Sequence, residues 1–300
     1  MIKTLFAAFF LIVFNLSLLA QTCAETAAVV PPVLSEKARK TYETKLAEAR
    51  ADFEKDPARA DAVIWLGRRT AYLGNYREAI KIFSEGIAKF PKDARLFRHR
   101  GHRLLTLRCF DDAIRDFQTA AKLVKGKPDE IEPDGLPNER NIPTSTLQTN
   151  IFYHLGLAYY VKGDFQNALE AYEKCEKVSK NADMTVATKH WLYMTRRRLG
   201  KTKEAEKSVA GVKDDLDVIE SGDYYKLVRL YQGKLKAEDL LAETGAQADT
   251  LSNASLGYGL GNWFLYNGEK EKARQIFRQI TSGNQWASFG FIAAEAELNR

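Results

Sequence analysis

The four histidines of this 300-residue chain are His99, His102, His154 and His190. His99 and His102 lie three residues apart, so on a helix they share a face and could hold a metal together. A metal site needs about three or four ligands that converge at roughly 2 Å. The chain has no His-Glu-x-x-His, no paired-cysteine motif and no glycine-rich phosphate loop. Gly257-Tyr258-Gly259-Leu260-Gly261 has the glycine density of a nucleotide loop. It does not join a strand to a helix, so its small residues are better used in close helix packing. The residue types point away from an enzyme, with no metal and no cofactor expected. The rival reading is a metal-dependent hydrolase, or an enzyme accessory, built on His99 and His102.

The elements that hold these residues announce themselves by spacing. Glycine, alanine twelve residues on and an aromatic four beyond recur at Gly67/Ala79/Phe83, Gly101/Ala113/Phe117, Gly156/Ala168/Tyr172 and Gly261/Ala273/Phe277. The first two copies are 34 residues apart, which marks a repeat architecture. Each unit reads as two helices. Val63, Leu66, Thr70 and Leu73 recur at helical spacing; Tyr76, Ala79, Ile80, Phe83 and Ile87 resume it; Pro91 ends it. Between them stands Gly74-Asn75, a turn echoed at Gly163-Asp164, Gly200-Lys201, Gly233-Lys234 and Gly268-Glu269. Glycine there supplies the positive φ that helix ends use.

These residues resemble the tetratricopeptide repeat, whose pattern is Trp-x2-Leu-Gly-x2-Tyr, Ala-x3-Phe, then Pro. Phe152-x2-Leu155-Gly156-x2-Tyr159 with Ala168-x3-Tyr172 matches it best, and Val63-x2-Leu66-Gly67 with Ala79-x3-Phe83 and Pro91 matches well. Weaker units surround Trp191 to Val209 and Tyr224 to Leu241, and a last clear one begins near Ala254. The resemblance implies an all-α, right-handed α-solenoid over residues 60–300. It also implies a non-enzymatic scaffold for a protein or peptide ligand, with the first helix of each repeat lining a concave groove. By that carry-over Arg68, Arg95, Arg98, His99, His102, Tyr153, His154 and Tyr160 face the groove. Arginine forks match carboxylates and tyrosine adds stiff contact area, so an acidic or C-terminal carboxylate-bearing peptide suits this wall. The family's lysine and asparagine carboxylate clamp is absent: Ile64 and Arg68 hold those positions. Equivalent residues of stacked repeats stand about 10 Å apart. On that spacing His154 does not join His99 and His102 around a metal.

The formal charge is +6, with 45% hydrophobic and 28% charged residues. That excess is too small to argue for nucleic acid as a partner, and a solvated face accounts for Arg196-Arg197-Arg198.

Lys3, an apolar run from Leu5 to Phe14 and the weakly polar Asn15 to Leu19 read as a signal peptide over residues 1–24. Thr22-Cys23-Ala24 places cleavage after Ala24, giving a periplasmic or secreted product of charge +5, since only Lys3 is removed. An uncleaved anchor or a lipid on Cys23 are the alternatives, and only they would bring membrane association. Cleavage after Ala24 leaves Cys109 and Cys175, which fall in different repeats and are expected as free thiols.

Residues 25–34 are expected as a flexible leader and 35–56 as an N-terminal capping helix with Ala38, Tyr42, Leu46, Ala49 and Phe53 on one stripe. Residues 126–147 break the repeat. The step from Gly101 to Gly156 is 55 against a period of 34, an insertion of 21 residues. It is rich in proline and acidic at Asp129, Glu130, Glu132 and Asp134, and it is long enough to lie over the groove. The apolar tail Trp286-Ala287-Ser288-Phe289-Gly290-Phe291-Ile292 offers two readings. It either caps the solenoid, with Glu295, Glu297 and Arg300 outward, or mediates self-association. The combined reading is an envelope scaffold that binds its partner in the groove.

Overall fold

A computed structural model describes residues 22–245 and 251–300. Helices α1 (Cys23–Thr26) and α2 (Glu36–Lys55) precede six helix pairs. The pairs are α3 (Ala60–Tyr72) with α4 (Tyr76–Lys89), α5 (Ala94–Thr106) with α6 (Phe110–Val124) and α7 (Leu147–Lys162) with α8 (Phe165–Val178). They continue with α9 (Ala182–Arg198) and α10 (Thr202–Ala210), α11 (Gly222–Tyr231) and α12 (Ala237–Gly245), then α13 (Leu251–Tyr266) and α14 (Lys270–Thr281). Helix α15 (Phe289–Leu298) ends the chain. Among the described residues there is no strand, and an isolated bridge between Ile131 and Thr146 is the sole sheet-like contact. The architecture is the all-α solenoid of helix pairs that the spacing predicts.

The repeat motif is a size match between a glycine and a ring. A methyl group added at Gly67 would lie 2.5 Å from the Phe83 ring, and one at Gly261 would lie 2.5 Å from Phe277. Gly156 stands in the same relation to Tyr172, and Gly101 to Phe117. In these four pairs the first helix is therefore notched where the second helix places an aromatic ring. The ring is then fully buried, as at Phe83, Phe117 and Tyr172. Burial of that kind contributes roughly 1.5–3 kcal/mol per aromatic.

Five interhelix turns use a left-handed glycine, with φ between 72° at Gly233 and 95° at Gly268. The second repeat breaks the rule: Arg108 holds the position with a φ of 64°. A residue with a Cβ gives up roughly 1–2 kcal/mol there, so something must hold Arg108 in place. Its guanidinium reaches the carboxylate of Glu295 at 2.7 Å and the carbonyl of Trp286 at 3.0 Å, and lies 3.9 Å over the Trp286 ring. The chain end is thus bolted to the second repeat.

The amino-terminal segment is also tied down. Residues 25–34, expected as a flexible leader, lie against the first repeat: Arg77 donates to the Ala27 carbonyl, as to that of Ala24 just before it, and Pro32 abuts Gly74. Cys23 forms a disulfide with Cys109. This corrects the expectation of a free Cys109 thiol, and Cys175 alone remains free, buried in α8. Sequence reasoning failed here because cleavage after Ala24 would have discarded the partner cysteine. The apolar run read as a signal peptide lies, up to residue 21, outside the described residues. Among the described residues no helix is long and apolar enough to cross a membrane.

Candidate functional site

The first helices of the six pairs face inward, and the structure divides that inner face into two halves. In the second half, α7, α9, α11 and α13 close on one another. Trp191 is the hub. It donates to the Tyr153 hydroxyl at 2.6 Å, stacks on Tyr258 at 5.7 Å between centroids and meets Tyr160 edge-on at 5.2 Å. Asn262 donates to the Tyr160 hydroxyl. Helix α15 completes the closure: the Phe289 ring packs 5.1 Å from His154 and 5.3 Å from His102. Tyr153, His154 and Tyr160 are therefore buried core residues, not an open wall. This corrects their placement in an accessible groove. The tail is corrected as well: Glu297 is buried, and Arg300, itself exposed, folds back onto α7. Glu297 pairs with Arg198 at 2.6 Å and with Arg300 at 2.5 Å, and Arg300 donates to the Tyr160 and Val161 carbonyls. Glu295 is taken by Arg108.

The first half, α3 and α5, is covered by the insertion. Its segment 130–135 runs extended from α5 to α3. Glu132 pairs with Arg98 at 3.0 Å, its carboxylate lies 3.9 Å from His99 Nε2, and Arg69 donates to the Gly135 carbonyl at 2.6 Å. Pro133 and Ile131 flank Trp65 and Arg68. The carboxylate of an acidic segment thus sits where the sequence reading expected a ligand's carboxylate. The predicted residues Arg68, Arg98, His99 and His102 gather beneath it. Arg95 does not join them. It is turned to the edge, held by Asp93 and Asp61 at 2.6 Å each, which raises its already high pKa.

Sequence reasoning missed Trp65, Tyr72 and Arg103. Trp65 underlies Arg68, whose guanidinium carbon is 4.4 Å from the ring. Arg103 lines the same chamber as Arg68 and Arg98, and among the described residues its side chain makes no hydrogen bond or ion pair. Its guanidinium lies over the Tyr76 ring, 5.9 Å from the centroid. Burial pushes its pKa down to about 10. The run Arg98, Arg100, Arg103 on one first helix was the available signal.

The histidines are built to stay neutral. Arg98 donates toward Nδ1 of His99 at 3.1 Å and of His102 at 3.4 Å. Burial, and then the surrounding arginine charges, hold His99, His102 and His154 well below the usual histidine pKa. His102 and His154 do approach, with ring centroids 4.6 Å apart, which corrects the spacing argument. One nitrogen of each ring is nevertheless committed: His102 Nδ1 faces Arg98, and His154 Nδ1 faces the Asn150 carbonyl at 2.5 Å. Among the described residues the one group with metal-like spacing is Cys23, Cys109 and Asp112, and its two sulfurs are joined to each other. Gly257 to Gly261 packs inside α13, where Gly259 abuts Leu227 and His190.

Comparison with known proteins places these features among relatives. Two family models described as tetratricopeptide repeat match residues 66–128 and 150–182. No curated protein matches the chain. Among solved structures it is similar to YrrB, described as a TPR protein with an unusual peptide-binding site. The identity is 14% and the TM-score 0.45, covering 83% of this chain and 97% of that one. PilW, a type IV pilus biogenesis factor, is 16% identical with a TM-score of 0.47, covering 81% and 86%. MamA from Desulfovibrio magneticus RS-1 is 18% identical with a TM-score of 0.43, covering 57% and 82%. Identities this low carry no information on ligand.

Proposed function

Because this chain is a tetratricopeptide repeat protein, we propose that it is a non-enzymatic scaffold of the cell envelope that binds an acidic protein or peptide segment on α3 and α5. One observation carries the reading: segment 130–135 of the chain already lies across these helices, with Glu132 on Arg98. The insertion occupies the face as an internal ligand, and a partner's acidic segment takes its place. Export is supported by the Cys23–Cys109 disulfide, since such bonds persist in oxidising compartments. A cysteine so engaged has no thiol left to carry a lipid. Self-association through the tail loses ground, because Phe291 is buried within the chain and Trp286 lies under Arg108.

The test uses a labelled peptide copying residues 128–136, titrated by fluorescence anisotropy into the wild type and into Glu132→Gln. A tethered segment competes at an effective concentration in the millimolar range. The variant, with its internal carboxylate neutralised, should bind the peptide at least tenfold more tightly than the wild type. Added salt should weaken that binding. Absence of binding to both proteins would remove the inner-face reading.

A further inference from the structure

Beneath Glu132 lies a chamber of about 100 Å³, lined by Arg68, Tyr72, Phe83, Arg98, His99, His102, Arg103 and Glu132. One water needs only about 10–15 Å³, so the chamber has room for a compact ion. Its charge is unbalanced. Three arginines face one carboxylate in contact, and the two histidines are held neutral. Asp134, the other acid nearby, forms no ion pair with these arginines among the described residues. Buried cations without partners are costly, and structures normally pair them. Two polar atoms here are also unsatisfied. Arg98 Nε has no acceptor and Glu132 Oε2 has no donor, although both residues are more than nine-tenths buried.

We infer that this chamber is a binding site for inorganic phosphate in its protonated form, held between Arg68, Arg98 and Arg103 with its hydroxyl donated to Glu132 Oε2. The donor sets explain the choice. Arginine forks match a tetrahedral oxyanion, and charge-assisted contacts of this kind are the strong ones. Unpaired Arg98 Nε supplies one donor to the ion. Glu132 Oε2 requires a donor from it, and that excludes a fully deprotonated oxyanion such as sulfate, which would meet the carboxylate as a second anion. Monobasic and dibasic phosphate each keep an O–H. The site is complete with the insertion in place, so it stands whether or not the acidic-peptide reading does.

The experiment uses the full exported chain and three salts at matched ionic strength near pH 6.5: sodium phosphate, sodium sulfate and sodium chloride. Isothermal titration and thermal unfolding are read together. Phosphate should bind saturably, and sulfate should bind at least tenfold more weakly. Glu132→Gln should erase that preference, because an amide can donate to sulfate. Arg103→Met should lose the phosphate response. In phosphate-free buffer it should be no less stable than the wild type, since it removes a half-buried charge that has no ion-pair partner among the described residues. Arg68→Met provides the same reading if Arg103→Met does not fold. Equal response to phosphate and sulfate in the wild type would overturn the proposal, as would a phosphate response that survives loss of either arginine.

Discussion

Arg108 lies 3.9 Å over the ring of Trp286 while its backbone is held at a φ of 64°. Every comparable turn in the other repeats is a glycine. The second repeat therefore gives up turn comfort for an anchor that holds the chain end, 178 residues away in sequence, on the first half of the solenoid.

Two substitutions separate those roles. Arg108→Ala keeps the strained turn and loses the anchor, whereas Arg108→Gly loses the anchor but relaxes the turn. The glycine variant should be more stable than the alanine variant by about 1 kcal/mol. Both should lose hydrogen-exchange protection in α15. Identical stabilities, with α15 still protected, would show that Arg108 does not bolt the chain end.

The amino-terminal strap closes a long loop, from Cys23 to Cys109. Its removal by Cys109→Ser should cost roughly 2–4 kcal/mol in urea unfolding. The mature protein should retain Cys23, so cleavage should fall upstream of it and not after Ala24. Intact mass before and after reduction decides this. A secreted product beginning at Glu25 would sink it.

Four histidines are neutral in the folded chain, with His190 pushed down to about 3 by burial. In the unfolded chain they take up protons below about 6.5, so the unfolded state binds more protons there, for His190 across the window from 6.5 to about 3. Stability is therefore fully present above 6.5 and falls as pH drops. His190 alone contributes a loss of about 2 kcal/mol by pH 5, and the other three add to it in the same direction. His190→Gln, which removes one titrating group, should flatten the slope by about one proton. A stability that does not change between pH 7 and 5 would contradict the buried, neutral state.

Gly67→Ala pushes a methyl group to within 2.5 Å of Phe83. The gain in helix propensity is roughly 1 kcal/mol, and overpacking of this kind costs about 1–3 kcal/mol. We expect net destabilisation that Phe83→Leu largely relieves. Gly211→Ala, with open space around it, is the control and should be neutral or stabilising. Additive effects at Gly67 and Phe83 in a double-mutant cycle would deny the notch-and-ring account.

The helix pairs were readable from the chain because their determinants are local. Gly67 and Phe83 belong to one unit, and Gly74 needs only its own φ to turn the chain. The weaker pairs α9–α10 and α11–α12 were also marked, by Gly200 and Gly233. Long-range pairing was not readable. The partners Asn262 with Tyr160, Arg108 with Glu295 and Cys23 with Cys109 come from distant parts of the chain. Their meeting depends on the rotation that every stacked interface adds to the solenoid, and no single repeat encodes that sum. The same holds for the inner face. Its arginines could be placed on first helices from spacing. Only the tertiary structure decided that α15 and α13 fill one half and that Glu132 covers the other. The physical reason is that a repeat's inner residues are specified within the unit, while what lies opposite them is set by the curvature of the whole stack.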